Sequence, residues 1–144
     1  MGEPVVPGHD AEVRCDLAAP PDAVYRAWTE RFDTWFATPG SVRMRPVVGE
    51  PYWFEVVHQG VRHPHYGRFL ALVPGRLIEQ TWVTGAGGTG GAETVVRVEL
   101  APEGDGTRVR LGHRGFADAV SARQHEESWP GILAHLDEVL AGGA

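Results

Sequence analysis

From Ser41 to Gly115 the chain repeats with a period of two, broken only by turn residues, and it then ends in a single amphipathic stretch over about 118–141. Alternation of apolar and polar residues marks strands that bury one face. An antiparallel sheet made of such strands needs a cover, and only one long helix is available to supply it. The runs fall at about 42–47, 51–58, 65–73, 76–84, 93–101 and 106–114. The last two are the clearest. Val96, Val98 and Leu100 alternate with Arg97 and Glu99, and Val109, Leu111 and His113 alternate with Arg108 and Arg110. Gly104-Asp105-Gly106 joins them as a hairpin, because glycine reaches positive φ without steric cost. Pro74-Gly75 marks another tight reversal.

Ahead of these runs, Val13, Cys15 and Leu17 share one face and Glu12, Arg14 and Asp16 the other, which predicts a further half-buried strand and brings the total to about seven. Pro20-Pro21-Asp22 then opens a helix, since proline suits a first helical turn and a carboxylate favours the positive helix start. Val24, Ala27 and Trp28 give that helix one apolar face, and Phe32, Trp35 and Phe36 repeat the spacing on a second short helix that Pro39-Gly40 stops. In the final helix Trp129, Ile132, Leu133, Leu136, Val139 and Leu140 form the stripe, and Pro130 is expected to kink or restart it by removing a backbone hydrogen bond. Residues 1–10 read as a flexible arm, 11–141 as one domain and 142–144 as a tail. The sum is an α+β fold in which a curved antiparallel sheet wraps around the long C-terminal helix.

Composition closes off several kinds of chemistry. All 13 basic residues are arginine, so there is no Schiff-base or phosphate-loop lysine. A net charge of −6 argues against nucleic acid as a partner. Cys15 stands alone, so no intrachain disulfide forms and a reducing, cytoplasmic setting is expected. The first ten residues lack the pattern of a signal peptide, and no apolar run reaches the roughly 20 residues of a membrane span.

The order of elements, with Ala18-Ala19-Pro20-Pro21-Asp22-Ala23-Val24-Tyr25-Arg26-Ala27-Trp28-Thr29, Trp35-Phe36, Leu77 to Trp82, Gly106 to Leu111, His113-Arg114-Gly115-Phe116 and the helix residues Trp129, Leu133, Leu136 and Leu140, resembles the helix-grip fold of START-type and pollen-allergen-like proteins (the SRPBCC superfamily). Within it, the chain is most similar to homologues of the activator of the heat-shock-protein-90 ATPase. The resemblance covers about residues 11–141 and implies a hydrophobic cavity between sheet and final helix, of the kind that holds a small apolar or amphipathic molecule. The same scaffold hosts carriers, cyclases and co-chaperone modules, so fold alone does not set function. The namesake activators carry a further N-terminal domain that these residues do not supply, which ranks a co-chaperone role last.

Several strings resemble functional motifs and fail on context. Gly85-Ala86-Gly87-Gly88-Thr89-Gly90 spells a dinucleotide fingerprint but leads into a strand, whereas a pyrophosphate site needs a helix start there. His125-Glu126-Glu127-Ser128-Trp129 begins as a zinc-protease helix and has tryptophan where the second histidine belongs. His63-Pro64-His65, with His58 near in sequence, lacks a visible third ligand and supporting shell, so neither a metal nor another cofactor is expected. His113 has inward parity and reads either as a hydrogen-bonded core residue or as a polar handle in the cavity. Cys15, also inward, reads as a small core hydrophobe.

The aromatics carry more information. Trp35, Phe54, Trp82 and Trp129 fall at inward positions, and pattern does not separate filling a core from lining a pocket. The reading reached is a binding or carrier protein for a small hydrophobic molecule. Trp35, Phe54, Trp82, Trp129 and Leu133 would supply apolar contact, and His65, Tyr66 and His113 would orient a polar end. A cyclase-, aromatase- or hydrolase-like enzyme using inward polar residues is the alternative. Self-association into a homodimer through exposed sheet or helix ends is a further expectation, and insertion into a membrane is not expected.

Overall fold

The structure, a computed structural model, describes residues 9–85 and 88–142. Most of the expected N-terminal arm (residues 1–8), Ala86-Gly87 of the glycine-rich string and residues 143–144 of the tail lie outside the described residues. The elements run β1 (His9–Leu17), α1 (Pro21–Thr29), a single 3-10 turn (Phe32–Thr34), β2 (Pro51–His58), β3 (Val61–Val73), β4 (Leu77–Thr84), β5 (Thr94–Glu103), β6 (Gly106–Phe116) and α2 (Ala119–Gly142). β2 to β6 form an antiparallel meander, and β1 joins its far side, giving the order β1-β6-β5-β4-β3-β2.

Several expectations about local structure change. The run at 42–47 is not a strand: Arg43 alone pairs with Trp53, through bonds of 2.7 and 2.8 Å. Pro46 has no N–H to continue a ladder, and Val47 and Val48 are exposed, so no apolar face is gained by extending it. The sheet therefore has six strands. The second short helix is only the 3-10 turn at Phe32–Thr34. β3 starts at Val61, four residues earlier than the alternation suggested, because Gln59 and Gly60 both take positive φ and make a tight hairpin with β2. Pro64 is tolerated there since pairing of β4 with β3 begins only at His65. β1 also begins at His9, inside the stretch expected to be arm.

α2 does not restart at Pro130 but runs unbroken for 24 residues. Pro130 is exposed, so the carbonyl that loses its N–H partner lies on the wet side of the helix. Asp118 begins the helix by accepting the Ser121 N–H at 2.7 Å, and that bond holds its carboxyl below the usual range. Further along, Glu126 accepts the Glu12 N–H and Asp137 the Ala18 N–H, so carboxylates of α2 occupy backbone donors along the edge strand β1.

These contacts put α2 against β1 and β6 rather than across the whole sheet. One helix about 10 Å wide cannot cover six strands spaced roughly 4.8 Å apart. The β2–β4 half is instead filled by aromatic rings from α1, the segment after it and the strands. Trp28, Phe32, Trp35, Phe54, Trp82 and Trp129 are all buried there. Phe32 meets Phe54 at 4.9 Å between centroids, and Trp28 stacks on Trp129 at 6.0 Å. The outer sheet face is charge-mixed, with Arg110 bonded to Glu12 at 2.6 Å and Arg97 to Glu99 at 2.8 Å. Among the described residues, no helix is long and apolar enough to cross a membrane.

Pro130→Ala would restore one backbone bond on the exposed side of α2 at little cost to packing. Urea unfolding is expected to show a gain of about 1–2 kcal/mol, somewhat less than the usual cost of proline inside a helix. A loss of stability would mean that the proline is needed for the path of the helix.

Candidate functional site

The half of the sheet that α2 leaves uncovered is not filled to the surface. A cavity of about 740 Å³ lies between β2–β4 and α2. Its apolar wall is Trp35, Phe36, Val56, Trp82, Trp129 and Ile132. Its polar positions include His58, His63, His65, His125 and His135, so five of the chain's seven histidines line this one space. His58 and His135 are exposed, whereas His65 and His125 are half-buried and reach deeper. Among the described residues, no group of three or more His, Cys, Asp or Glu side chains converges as a metal site would require.

The residues expected to form the site divide in four. Trp35, His65, Trp82 and Trp129 line the cavity. Phe54 and Leu133, exposed by 0% and 1%, belong to the packed layer beneath it and fill rather than line. Tyr66 is 49% exposed and points away. It follows His65 in the same strand, and successive strand residues face opposite sides, so the two could not share the cavity.

His113 is fully buried and does not line the cavity. The Trp129 indole Nε1–H donates to His113 Nδ1 at 3.2 Å, which fixes Nδ1 as the acceptor and places the ring proton on Nε2. Nε2–H then donates to Thr94 Oγ1 at 2.8 Å, and the Thr94 hydroxyl donates to the Trp82 carbonyl at 2.5 Å. Every polar atom of this chain is used. Burial, aided by the proximity of His125, pushes the His113 imidazole far below its ordinary pKa. Protonation would in addition set an Nδ1–H against the Trp129 N–H.

His65 has the opposite tautomer. Its Nδ1 lies 3.0 Å from the His63 carbonyl, which can only accept, so Nδ1 carries the proton and Nε2 is left as a lone-pair acceptor. Its ring stacks on Phe54 at 4.8 Å and meets Trp82 edge-on at 5.5 Å. Burial lowers its pKa to about 4 against the opposing pull of the His63 carbonyl, and nearby His63 and His125 lower it further. His125 repeats the arrangement on α2, donating Nδ1–H to the Ser121 carbonyl at 2.8 Å.

Phe36, Val56, His58, His63, His125, Ile132 and His135 line the cavity without having been expected there. A signal for the helical set was present, since 125, 129 and 132 recur at helical spacing and share a face with 128 and 135. His125 belongs to that set although its own string spells only an incomplete zinc motif.

A family model described as Activator of Hsp90 ATPase homolog 1-like protein matches residues 18–141. The chain belongs to that family. No curated protein matches the sequence. Among solved structures, the chain is similar to protein CV1439 from Chromobacterium violaceum, with 26% identity and a TM-score of 0.78 over 91% of this chain and 96% of that one. It is similar in fold to DynU16, described as a putative protein in the dynemicin biosynthetic locus, at 18% identity and a TM-score of 0.78; the match covers 95% of this chain and 49% of that one. The Aha1 dimer from Colwellia psychrerythraea, at 19% identity and a TM-score of 0.68 over 93% and 97% of the two chains, shares the fold as well. The helix-grip architecture inferred from the sequence is thus that of this AHSA1-like family member.

Two buried neutral histidines make stability depend on pH. Both start from an ordinary value of 6.5, and both are lowered in the fold. Below about 6.5 the unfolded chain binds protons that the folded chain does not, so stability falls as pH drops, by up to about 1.4 kcal/mol per unit for each group. For His65 that loss ends near its folded value of about 4. Urea unfolding between about pH 6 and 5, above the usual carboxylate range, is expected to show this decline, and His65→Phe to lose about half of the slope. An unchanged slope in the variant would contradict a neutral, desolvated His65.

Proposed function

We propose that this protein binds or carries a small hydrophobic or amphipathic molecule in the cavity between β2–β4 and α2. The observation that carries the reading is the cavity itself: about 740 Å³, with three tryptophans and Phe36 on its wall and a few placed imidazoles. Volumes of roughly 300–1,000 Å³ with mostly apolar walls and few polar groups are those of sites for drug-sized ligands. Apolar burial at about 25 cal/mol per Å² gives such a ligand micromolar affinity with no covalent chemistry. Trp35, Trp82, Trp129 and His65 contact the ligand in this reading, and Phe54, Leu133 and His113 hold those residues in place. The fold shared with DynU16, placed in a biosynthetic locus by its description, agrees with a role beside small-molecule chemistry.

A second reading, an enzyme that uses an inward base, is favoured by the unpaired Nε2 of His65. A conjugate acid near 4 makes that nitrogen a weak base at neutral pH, far from the value near 7 that suits proton abstraction. It serves better as a hydrogen-bond acceptor. A cytoplasmic setting and the small-molecule partner belong to the binding reading. A homodimer belongs to it too, supported by the solved Aha1 dimer and by exposed Trp53, Tyr66, Val57 and Val61 around the β2–β3 hairpin. Light scattering at twice the chain mass is the expected result, and a monomer at all concentrations would remove it.

Val56 lies on the cavity wall, and Val56→Trp would fill the space from β2. In a panel of neutral two-ring aromatics, the parent protein is expected to gain a thermal shift of several degrees and the filled variant none, with its own unfolding temperature close to the parent's. No shift with any member, together with no retained small molecule in native mass spectrometry, would overturn the reading.

A further inference from the structure

The open polar atoms of the two deeper cavity histidines have a sign. Both deeper histidines have committed Nδ1–H to a backbone carbonyl, His65 to His63 and His125 to Ser121. Each keeps one nitrogen, Nε2, and in the neutral ring that nitrogen can only accept. Neither Nε2 has a protein partner among the described residues, and neither is sealed from the cavity. The two acceptors approach from opposite walls, one on β3 and one on α2. Trp82 lines the same space beside His65, at 5.5 Å between rings, and its indole N–H makes no hydrogen bond among the described residues.

We infer that this cavity is selective for aromatic ligands bearing a hydroxyl group, whose proton is accepted by Nε2 of His65 or His125. The inference rests on the ligand-binding reading above and narrows its substrate class. A hydroxyl donates and accepts at once, so it also satisfies the Trp82 N–H. A carboxylate only accepts, and would face two lone pairs. An ammonium group donates to the imidazoles but offers the indole nothing. Burial of His65 reinforces the choice, because it keeps the ring neutral across the physiological range. The walls decide the skeleton: Trp82 and Trp129 meet at 5.8 Å and Phe36 stands edge-on to Trp82 at 5.6 Å, which leaves ring faces and edges to stack against a flat apolar body.

Calorimetric titration of the full chain with 2-naphthol and its methyl ether, 2-methoxynaphthalene, isolates the hydroxyl proton on one ring system. The naphthol is expected to bind about tenfold more tightly, the factor that one shielded hydrogen bond supplies. In His65→Phe, which keeps a ring against Phe54, the naphthol-to-ether preference is expected to shrink, and in His65→Phe/His125→Phe to fall to about one. Circular dichroism and a cooperative urea transition show that the variants are folded. Equal affinity of the two probes in the parent protein would overturn the hydroxyl readout and leave the cavity reading intact. Failure of both probes to bind would overturn the cavity reading itself. Full preference retained in the double variant, or tighter binding of 2-naphthoate or 2-naphthylmethylamine than of naphthol, would overturn the assignment to neutral imidazole acceptors.

Discussion

The hydrogen-bond chain from Trp129 through His113 and Thr94 to the Trp82 carbonyl ties α2 to β6, β5 and β4 at the one level where helix and sheet part company. On one side of it α2 lies against β1 and β6; on the other the cavity opens. Of the two tryptophans that wall the cavity here, Trp129 is thereby held at its indole N–H and Trp82 at its backbone carbonyl. A buried imidazole is costly unless both nitrogens are satisfied, and here each has a single partner of the right sign. The same bonds fix the tautomer and exclude the charged form. His113 therefore serves as a clasp between layers rather than as a group that meets a ligand.

Seen from that clasp, the cavity is the consequence of a mismatch in width. One helix covers part of a six-stranded sheet, and the remainder must be covered by side chains. Long aromatic residues reach across the gap, and their indole and phenol tips find partners: Trp28 with Gln80 at 2.6 Å, Trp35 with the Ala27 carbonyl at 2.9 Å, Tyr52 with the Thr81 carbonyl. Gly67 allows the close approach of β3 to the backbone at Thr81, where a Cβ would overlap the carbonyl oxygen. The packed layer made in this way supports the cavity floor. Imidazoles then supply the polar atoms, and burial keeps that of His65 neutral in the apolar space.

Much of this was legible in the sequence. The alternations around Val96 and Val109, the hairpin at Gly104, the helix start at Pro21 and the stripe from Trp129 to Leu140 correspond to β5, β6, α1 and α2, because each is a local pattern with a local physical cause. Where tertiary context decides, the pattern ran out. The 42–47 run alternates, yet Pro46 and the lack of a face to bury leave it outside the sheet. His113 was correctly placed inward, but its role depends on Thr94 and Trp129, which only the fold brings to it. Tyr66 was at odds with its own strand parity beside His65. His125 shares a helix face with Trp129 and Ile132 by spacing, but that this face meets a cavity depends on where α2 sits.

The division between a histidine that clasps the layers and one that faces a ligand is open to a direct measurement. Long-range proton–nitrogen NMR of the imidazole rings near neutral pH reads the tautomer of each histidine separately. His113 should carry its proton on Nε2 and His65 on Nδ1, and on acidification His113 should stay neutral past the point where His65 titrates near about 4. A His113 that protonates near its ordinary value of 6.5, or a His65 with its proton on Nε2, would contradict both the clasp and the acceptor-lined cavity.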